Sequence, residues 1–468
     1  MSSKKAPSPR PIDYAVYALF RVFESGLRLF PMELVWTIGF AFGAFGWAIL
    51  PKRRRTVTRN LRIAYGNTHT PSQINRLTLQ SFCHAGANFM SGFRCTTVKP
   101  DELKDRVKIE NLHRIHPEEE QHEGAILLLA HMGNWEVLAQ LPSIMPDPPA
   151  FGTLYRPIDN PLIDKLIRRR RQQQNVKTYS KRDGFFKPTS HLKEGGFLGI
   201  IADQRAGRHG VSLPLCGKRT SMTNLPALLH RRSGTPIIPI AMSTTGPARW
   251  KLKILEPLEI PEDQRRQTHS TTQITASLYK RIFAESPADV LWLHSYWHVS
   301  DRRPLKIDGL QKEDIHDTIS QPFRVLIYTD DLEAGHKETC QQLHRLKQYR
   351  PDIHVTTAGK HKVSKDIDHH IPCHPDDPPH LTSNAIQAYD RDSTYPIDCA
   401  LDFTEDGRGG KRLAKAGLER VFCRQGKWLS LSTSFVIDKK GSASITDLVT
   451  SLGVPETDVQ EETTNKPC

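Results

Sequence analysis

Residues Gly124 to Leu141 read GAILLLAHMGNWEVLAQL, and the rest of the chain is organised around them. Ala125 to Ala130 is a short, unbroken apolar run, the pattern of a strand buried on both faces. His131 stands where that run ends. Gly133 and Asn134 break the pattern, and Asn134 is a favoured residue type for starting a helix. The sequence then predicts a helix carrying Trp135, Glu136, Val137, Leu138 and Leu141. His131 and Glu136 are five positions apart, which on one helix would set them about 140° apart. They can meet only if the histidine stays on the loop and the glutamate occupies the first helical turn, where a carboxylate suits the helix dipole. Such a carboxylate would accept from one imidazole nitrogen and leave the other as a base.

The 468 residues are enough for two or three domains. Lys plus Arg number 65 and Asp plus Glu 51, a net charge of +14. That balance points to an anionic partner: nucleic acid, an anionic membrane surface or a phosphorylated substrate. No nucleic-acid-binding signature accompanies it, so nucleic acid is not expected as a partner. The eight cysteines are scattered without a CxxC pair, which argues against a zinc ribbon or a disulfide framework.

Residues 1–11 are rich in Ser, Lys and Pro and read as disordered. Ile12 to Phe30 reads as an amphipathic helix of the kind that lies in a membrane interface. Met32 to Leu50 is almost wholly apolar and just long enough to span a bilayer. Lys52, Arg53, Arg54 and Arg55 follow at once, which by the positive-inside rule puts the N-terminus outside and the bulk of the chain in the cytoplasm. The bland alternative is a buried core helix, or one embedded in a single leaflet.

Thr56 to Phe93 reads as helical. Val107 to Leu112, Phe151 to Leu154, Phe197 to Ala202, Ile237 to Met242 and Lys251 to Leu255 read as strands, and a helix runs from Asn160-Pro161 to Arg171. This alternation predicts an α/β domain with a mixed sheet over residues 56–305, after an N-terminal segment of residues 1–55. A linker (306–321) leads to a smaller Rossmann-like α/β domain (322–453), built on strands Phe323 to Tyr328, Ile353 to Thr357 and Asp398 to Phe403. Residues 361–383 read as a loop and 454–468 as a disordered tail. The His369, His370, Cys373, His374 and His380 cluster matches no standard metal spacing, and no metal is expected.

His131-Met132-Gly133-Asn134-Trp135-Glu136 resembles the HX4(D/E) motif of the lauroyl/myristoyl acyltransferases of lipid A biosynthesis. Tyr155-Arg156-Pro157-Ile158-Asp159-Asn160-Pro161-Leu162 resembles that family's second block, and Ala202-Asp203-Gln204-Arg205-Ala206-Gly207 the end of its third. Gly234 to Pro239 and Trp292-Leu293-His294 resemble the following two. The resemblance covers residues 12–304 and implies a glycerol-phosphate-acyltransferase-like domain. It implies acyl transfer from a thioester, on acyl carrier protein or CoA, to a hydroxyl of a glycolipid precursor. The setting implied is the cytoplasmic face of a bacterial inner membrane, with one membrane pass.

On that reading His131 removes the hydroxyl proton and Glu136 fixes its tautomer. Asn134, Arg156, Asp203 and Gln204 are expected to contact substrate, and the Arg168 to Arg171 run, Arg168 and Arg169 foremost, to bind phosphates, acyl carrier protein or anionic headgroups, the alternative being a solvated helix face. No further cofactor is implied. Two elements depart from the family pattern: Leu215-Cys216-Gly217 replaces a Phe-Phe-Gly element, and Tyr296 and His298 replace basic residues of the closing block. The alternatives are transfer to another lipid (a lysophospholipid, phosphatidylinositol mannoside or ornithine lipid), or a non-catalytic anionic-lipid binding protein. A fainter resemblance, through Arg324 to Ile327, Arg350 to Ile353 and Ile397 to Asp402, is to the N-terminal half of a heptosyltransferase-type GT-B enzyme, without the nucleotide-binding half.

Overall fold

The structure, a computed structural model, describes residues 8–115, 124–145, 148–155, 157–173, 175–180, 184–206, 210–257, 260–261, 267–297, 321–329, 337–362, 364–374, 376–402, 404, 408–418, 421–423 and 434–436. The chain divides into two compact units. The first comprises residues 1–58, 75–215 and 221–296; the second comprises 59–74, 216–220 and 297–468. The expected linker lies almost wholly outside the described residues, as does the expected tail.

The first unit opens with α1 (Pro11–Arg28) and α2 (Met32–Ile49). After α3 (Pro51–Tyr65) comes the long α4 (Pro71–Cys95). The strands are β1 (Val107–Glu110), β2 (Ala125–Leu129), β3 (Phe151–Tyr155), β4 (Val176–Ser180), β5 (Phe197–Ile201), β6 (Val211–Leu215), β7 (Lys218–Met222), β8 (Ile237–Gly246) and β9 (Arg249–Ile254). Seven of them form one sheet in the order β1-β9-β8-β2-β5-β3-β4, parallel except for the antiparallel β8–β9 pair. The mixed sheet is as expected; β4, the β6–β7 hairpin and the helices Leu225–Ser233 and Thr268–Glu285 were not read from the sequence. All five residues of β2 are buried, as the central strand of a sheet covered on both faces requires.

The described residues up to 58 fall in this unit. Helix α2 lays Met32, Val35, Trp36, Gly39 and Gly43 against the protein. A Cβ on Gly39 would come within 2.6 Å of the Gly86 carbonyl, and one on Gly43 within 2.1 Å of the Phe82 carbonyl. Only glycine permits so close an approach to α4.

Among the described residues the second unit holds six parallel strands: β10 (Phe323–Tyr328), β11 (Ile353–Gly359), β12 (His369–Pro372), β13 (Cys399–Asp402), β14 (Val421–Cys423) and β15 (Ser434–Val436). Their order, β12-β11-β10-β13-β14-β15, is that of a doubly wound sheet. Residues 361–383 are not the loop expected. They contain β12 and the start of the helix Pro379–Asp392, because Thr356 to Gly359 of β11 offers an open edge with which His369 to Pro372 pairs.

Candidate active site

The register of the first sheet assembles the site. Parallel β2 and β5 align Leu129 with Ile201. Two residues beyond each lie His131 and Asp203, so two residues 72 apart in sequence leave adjacent strand ends side by side. Asp203 Oδ1 is 2.7 Å from His131 Nδ1, and Oδ2 accepts the His131 backbone N–H at 3.0 Å. The Tyr296 hydroxyl donates to the same carboxylate at 2.9 Å. Asp203 is fully buried. Three donors compensate the loss of water around it, and the arrangement fixes both the ring and the backbone of His131. With Nδ1 directed at Asp203, Nε2 is the nitrogen left for chemistry. It faces Gln204, whose Nε2 is 3.5 Å away. The Trp135 ring packs edge-on against the imidazole, centroids 5.5 Å apart.

The loop that presents His131 is pinned from a second direction. The Gly133 N–H donates to the Asp289 carbonyl, and the Leu291 N–H to the His131 carbonyl. Gly133 has φ +56°, and a Cβ there would strike the Met242 carbonyl at 2.5 Å. Asp289 is itself buried and collects five hydrogen bonds, from His84, Asn88, Ser286 and two groups of Thr244. Burial pushes its carboxyl up, but the His84 bond and charge, with Thr244 and Ser286, outweigh this and hold it below the usual carboxylate range. His294 is held below the ordinary histidine range, first by burial. Its Nε2 accepts the Arg205 backbone N–H at 3.3 Å, which requires the neutral ring.

Glu136 does not pair with His131. Among the described residues no hydrogen bond joins them. The segment after Asn134 is a 3-10 turn, Trp135–Gln140, in place of the expected α-helix, and leads into a short helix, Leu141–Ile144. The Glu136 carboxylate instead lies 3.9 Å from Arg171 Nη2. The position at Nδ1 expected for Glu136 is taken by Asp203, brought alongside by strand register. Nor does Asn134 cap the turn. It is buried, and its Nδ2 donates to Cys95 Sγ at 3.3 Å. Burial first of all pushes that thiol up to about 12, which keeps it protonated and unfit as a nucleophile.

Glu136 lines a cavity of about 140 Å³ together with Asn134, Trp135, Gln140, Phe20 of α1, Phe89 and Phe93 of α4, and Arg170 and Arg171. Asn134 Oδ1 and Gln140 Nε2, both buried, have no hydrogen-bond partner among the described residues. The arginines follow the phase of the helix Pro161–Gln173. Arg168 and Arg169 point outward, Arg168 over the Tyr155 ring. Arg170 and Arg171 turn inward, to Glu24 and Glu136 respectively. Arg156, His298 and Gly207 lie outside the described residues. Tyr296, read from the sequence as a departure from a basic position, is a partner of Asp203; nothing in the local sequence signals that contact.

A family model for the bacterial lipid A biosynthesis acyltransferase matches residues 3–299. The chain belongs to that family. It is accordingly an O-acyltransferase of the lipid A biosynthesis type, as its motifs imply. It is 22% identical over 270 residues to the lipid A biosynthesis lauroyltransferase of Escherichia coli (strain K12), covering 56% of this chain and 85% of that relative. The matched span of this lipid A acyltransferase family member holds both strand ends and the closing block, and stops short of β10.

Proposed function

We propose that the chain transfers a fatty acyl group from an acyl thioester, on acyl carrier protein or CoA, to a hydroxyl of a lipid A-type glycolipid precursor at the inner membrane, on its cytoplasmic side. His131 Nε2 takes the proton of the attacking hydroxyl. Asp203 holds the tautomer with the proton on Nδ1 and stabilises the imidazolium that forms, and Tyr296 orients Asp203. The oxygen attacks the thioester carbonyl, and collapse of the tetrahedral intermediate expels the thiolate, which takes the proton back from His131. The oxyanion needs hydrogen-bond donors, for which Gln204 Nε2 beside the imidazole is suitably placed. Glu136 and Arg171 form a polar wall of the adjoining cavity, and the phenylalanines an apolar one suited to an acyl chain. The second unit is read as a Rossmann-like appendage without glycosyl transfer.

The observation that carries this reading is the 2.7 Å His131–Asp203 contact at the ends of paired parallel strands. The test incubates solubilised enzyme with acyl-acyl carrier protein and a Kdo-lipid A precursor, and reads products by mass spectrometry. A mass gain of one acyl chain, lost in His131→Ala, is expected. No gain with this acceptor, and gain with a lysophospholipid or another lipid, would reassign the acceptor.

A further inference from the structure

Helix α1 is built inside out. Its buried face carries Asp13, Glu24 and Leu27, whereas Ile12, Val16, Leu19, Val22 and Phe23 are exposed. A surface helix in water buries its apolar stripe and exposes its charges. The reversal is held in place. Arg170 grips Glu24 through two nitrogens, one at 2.8 Å, and the Asn160 side chain donates to the Asp13 carbonyl at 2.9 Å. A buried carboxylate of this kind tolerates no loss of its partner.

Helix α2 is apolar on both its buried and its exposed face. Its glycine face is spent on α4, and Leu34, Phe42, Phe45 and Ile49 are exposed. Phe93 of α4 meets Phe20 and Phe23 of α1 and Phe89 of α4, and Phe89 is itself exposed. Next to this apolar surface Lys52, Arg53 and Arg55 are exposed, and Arg54 stacks on Trp47.

An 18-residue apolar helix satisfies the length rule for a span. A pass through the bilayer by α2 would, however, leave α1 on the face opposite to the helix Pro161–Gln173, to which Glu24 and Asp13 tie it. It would also carry the polar groups of α4 into the lipid, where His84 packs 6.3 Å from Phe40 of α2. The N-terminal end of α2 is bound to the same body through Glu33 and Arg106 at 2.6 Å.

We infer that the chain is monotopic. The exposed faces of α1 and α2, with Phe89 of α4, sink into one leaflet of an anionic bilayer, the Lys52–Arg55 run meets its headgroups, and the cavity walled by Phe20, Phe89 and Phe93 opens beside that leaflet. This rests on the membrane association proposed above and replaces the single pass expected from the sequence.

The test uses the full chain with an epitope tag at each end, in inverted and right-side-out inner-membrane vesicles treated with protease. Both tags are expected to be cleaved from the same face. Cleavage of the N-terminal tag only from the opposite face overturns the inference and leaves membrane association standing. In parallel, purified protein is floated with phosphatidylglycerol-containing vesicles. The double variant Leu19→Asp, Val22→Asp is expected to bind about tenfold less, from the apolar burial lost; unchanged retention would show that α2 alone anchors the chain. A Glu24→Cys, Arg170→Cys pair is expected to be bridged by a short bismaleimide in intact membranes, and no bridging in a protein that binds both reagents singly would count against the arrangement. Wild-type protein that does not float, whether a monomer or a dimer burying this face against a second copy, would remove the membrane reading together with the inference.

Discussion

Each unit ends a buried parallel strand in an aspartate, and the two aspartates do different things. Asp203, just beyond β5, spends its oxygens on an imidazole, the backbone of the same histidine and a tyrosine hydroxyl. Asp402, at the end of β13, accepts the Thr404 N–H and hydroxyl on one oxygen and the Gly410 N–H on the other. Its partners belong to the turn and helix that follow it, and the backbone is built tightly around it: a Cβ on Gly409 would come within 2.3 Å of its Oδ1. A strand-end carboxylate is thus not a site in itself. Directed at an imidazole whose second nitrogen faces Gln204, it suits proton transfer; closed on the next helix, it fastens the chain.

The sharpest way to test that contrast is to remove the groups one at a time. His131→Ala is expected to lower kcat about a thousandfold or more with the fold retained, because the proposed general base is removed; steady-state rates beside circular dichroism check it. Asp203→Asn is expected to cost about a hundredfold, the amide offering a donor where the imidazole N–H needs an acceptor. An Asp203→Asn enzyme with wild-type kcat would end the comparison. Asp402→Ala is expected to leave kcat unchanged and to destabilise the second unit by about 2–3 kcal/mol, since it strands buried N–H groups. Hydrogen exchange over residues 404–415, faster in the variant, is the readout.

Two smaller effects refine the picture. Tyr296→Phe is expected to lower kcat about fivefold, the size of one hydrogen bond to a carboxylate that keeps its other donors. An equal loss in Tm without a change in rate would make Tyr296 merely structural. The last concerns His294, whose folded pKa lies below its ordinary 6.5. The unfolded chain then binds the extra proton first, so stability is complete above about pH 6.5 and declines as pH falls from there towards the folded pKa. Melts between pH 7.5 and 5.5 should show this slope, and His294→Gln should reduce it.

Much of the first unit was legible along the chain. β2 announced itself as an unbroken apolar run, His131 as the polar residue that ends it, and Gly133 as the break. The alternation of strands and helices gave the mixed sheet, and the block order gave the family. Along the chain the carboxylate nearest His131 is Glu136, and the residues after Asn134 suit a helix; the chain forms a 3-10 turn there, and the glutamate faces Arg171. Arg168 to Arg171 are a run of four arginines whose charges are identical in sequence. Which two turn inward depends on the face that the helix presents to α1.

The sequence by itself determined the local chemistry: where strands begin and end, which residue types stand at their ends, and that α1 and α2 carry apolar stripes beside a basic run. Those features follow from hydrophobic periodicity and backbone preference, which act over a few residues. Only the tertiary structure decided that β2 and β5 are neighbours in register, so that Asp203 rather than Glu136 meets His131, and that α1 turns its charges inward and its apolar face out. Both depend on pairing between segments far apart in the chain, where register and packing choose among partners that local sequence leaves equivalent.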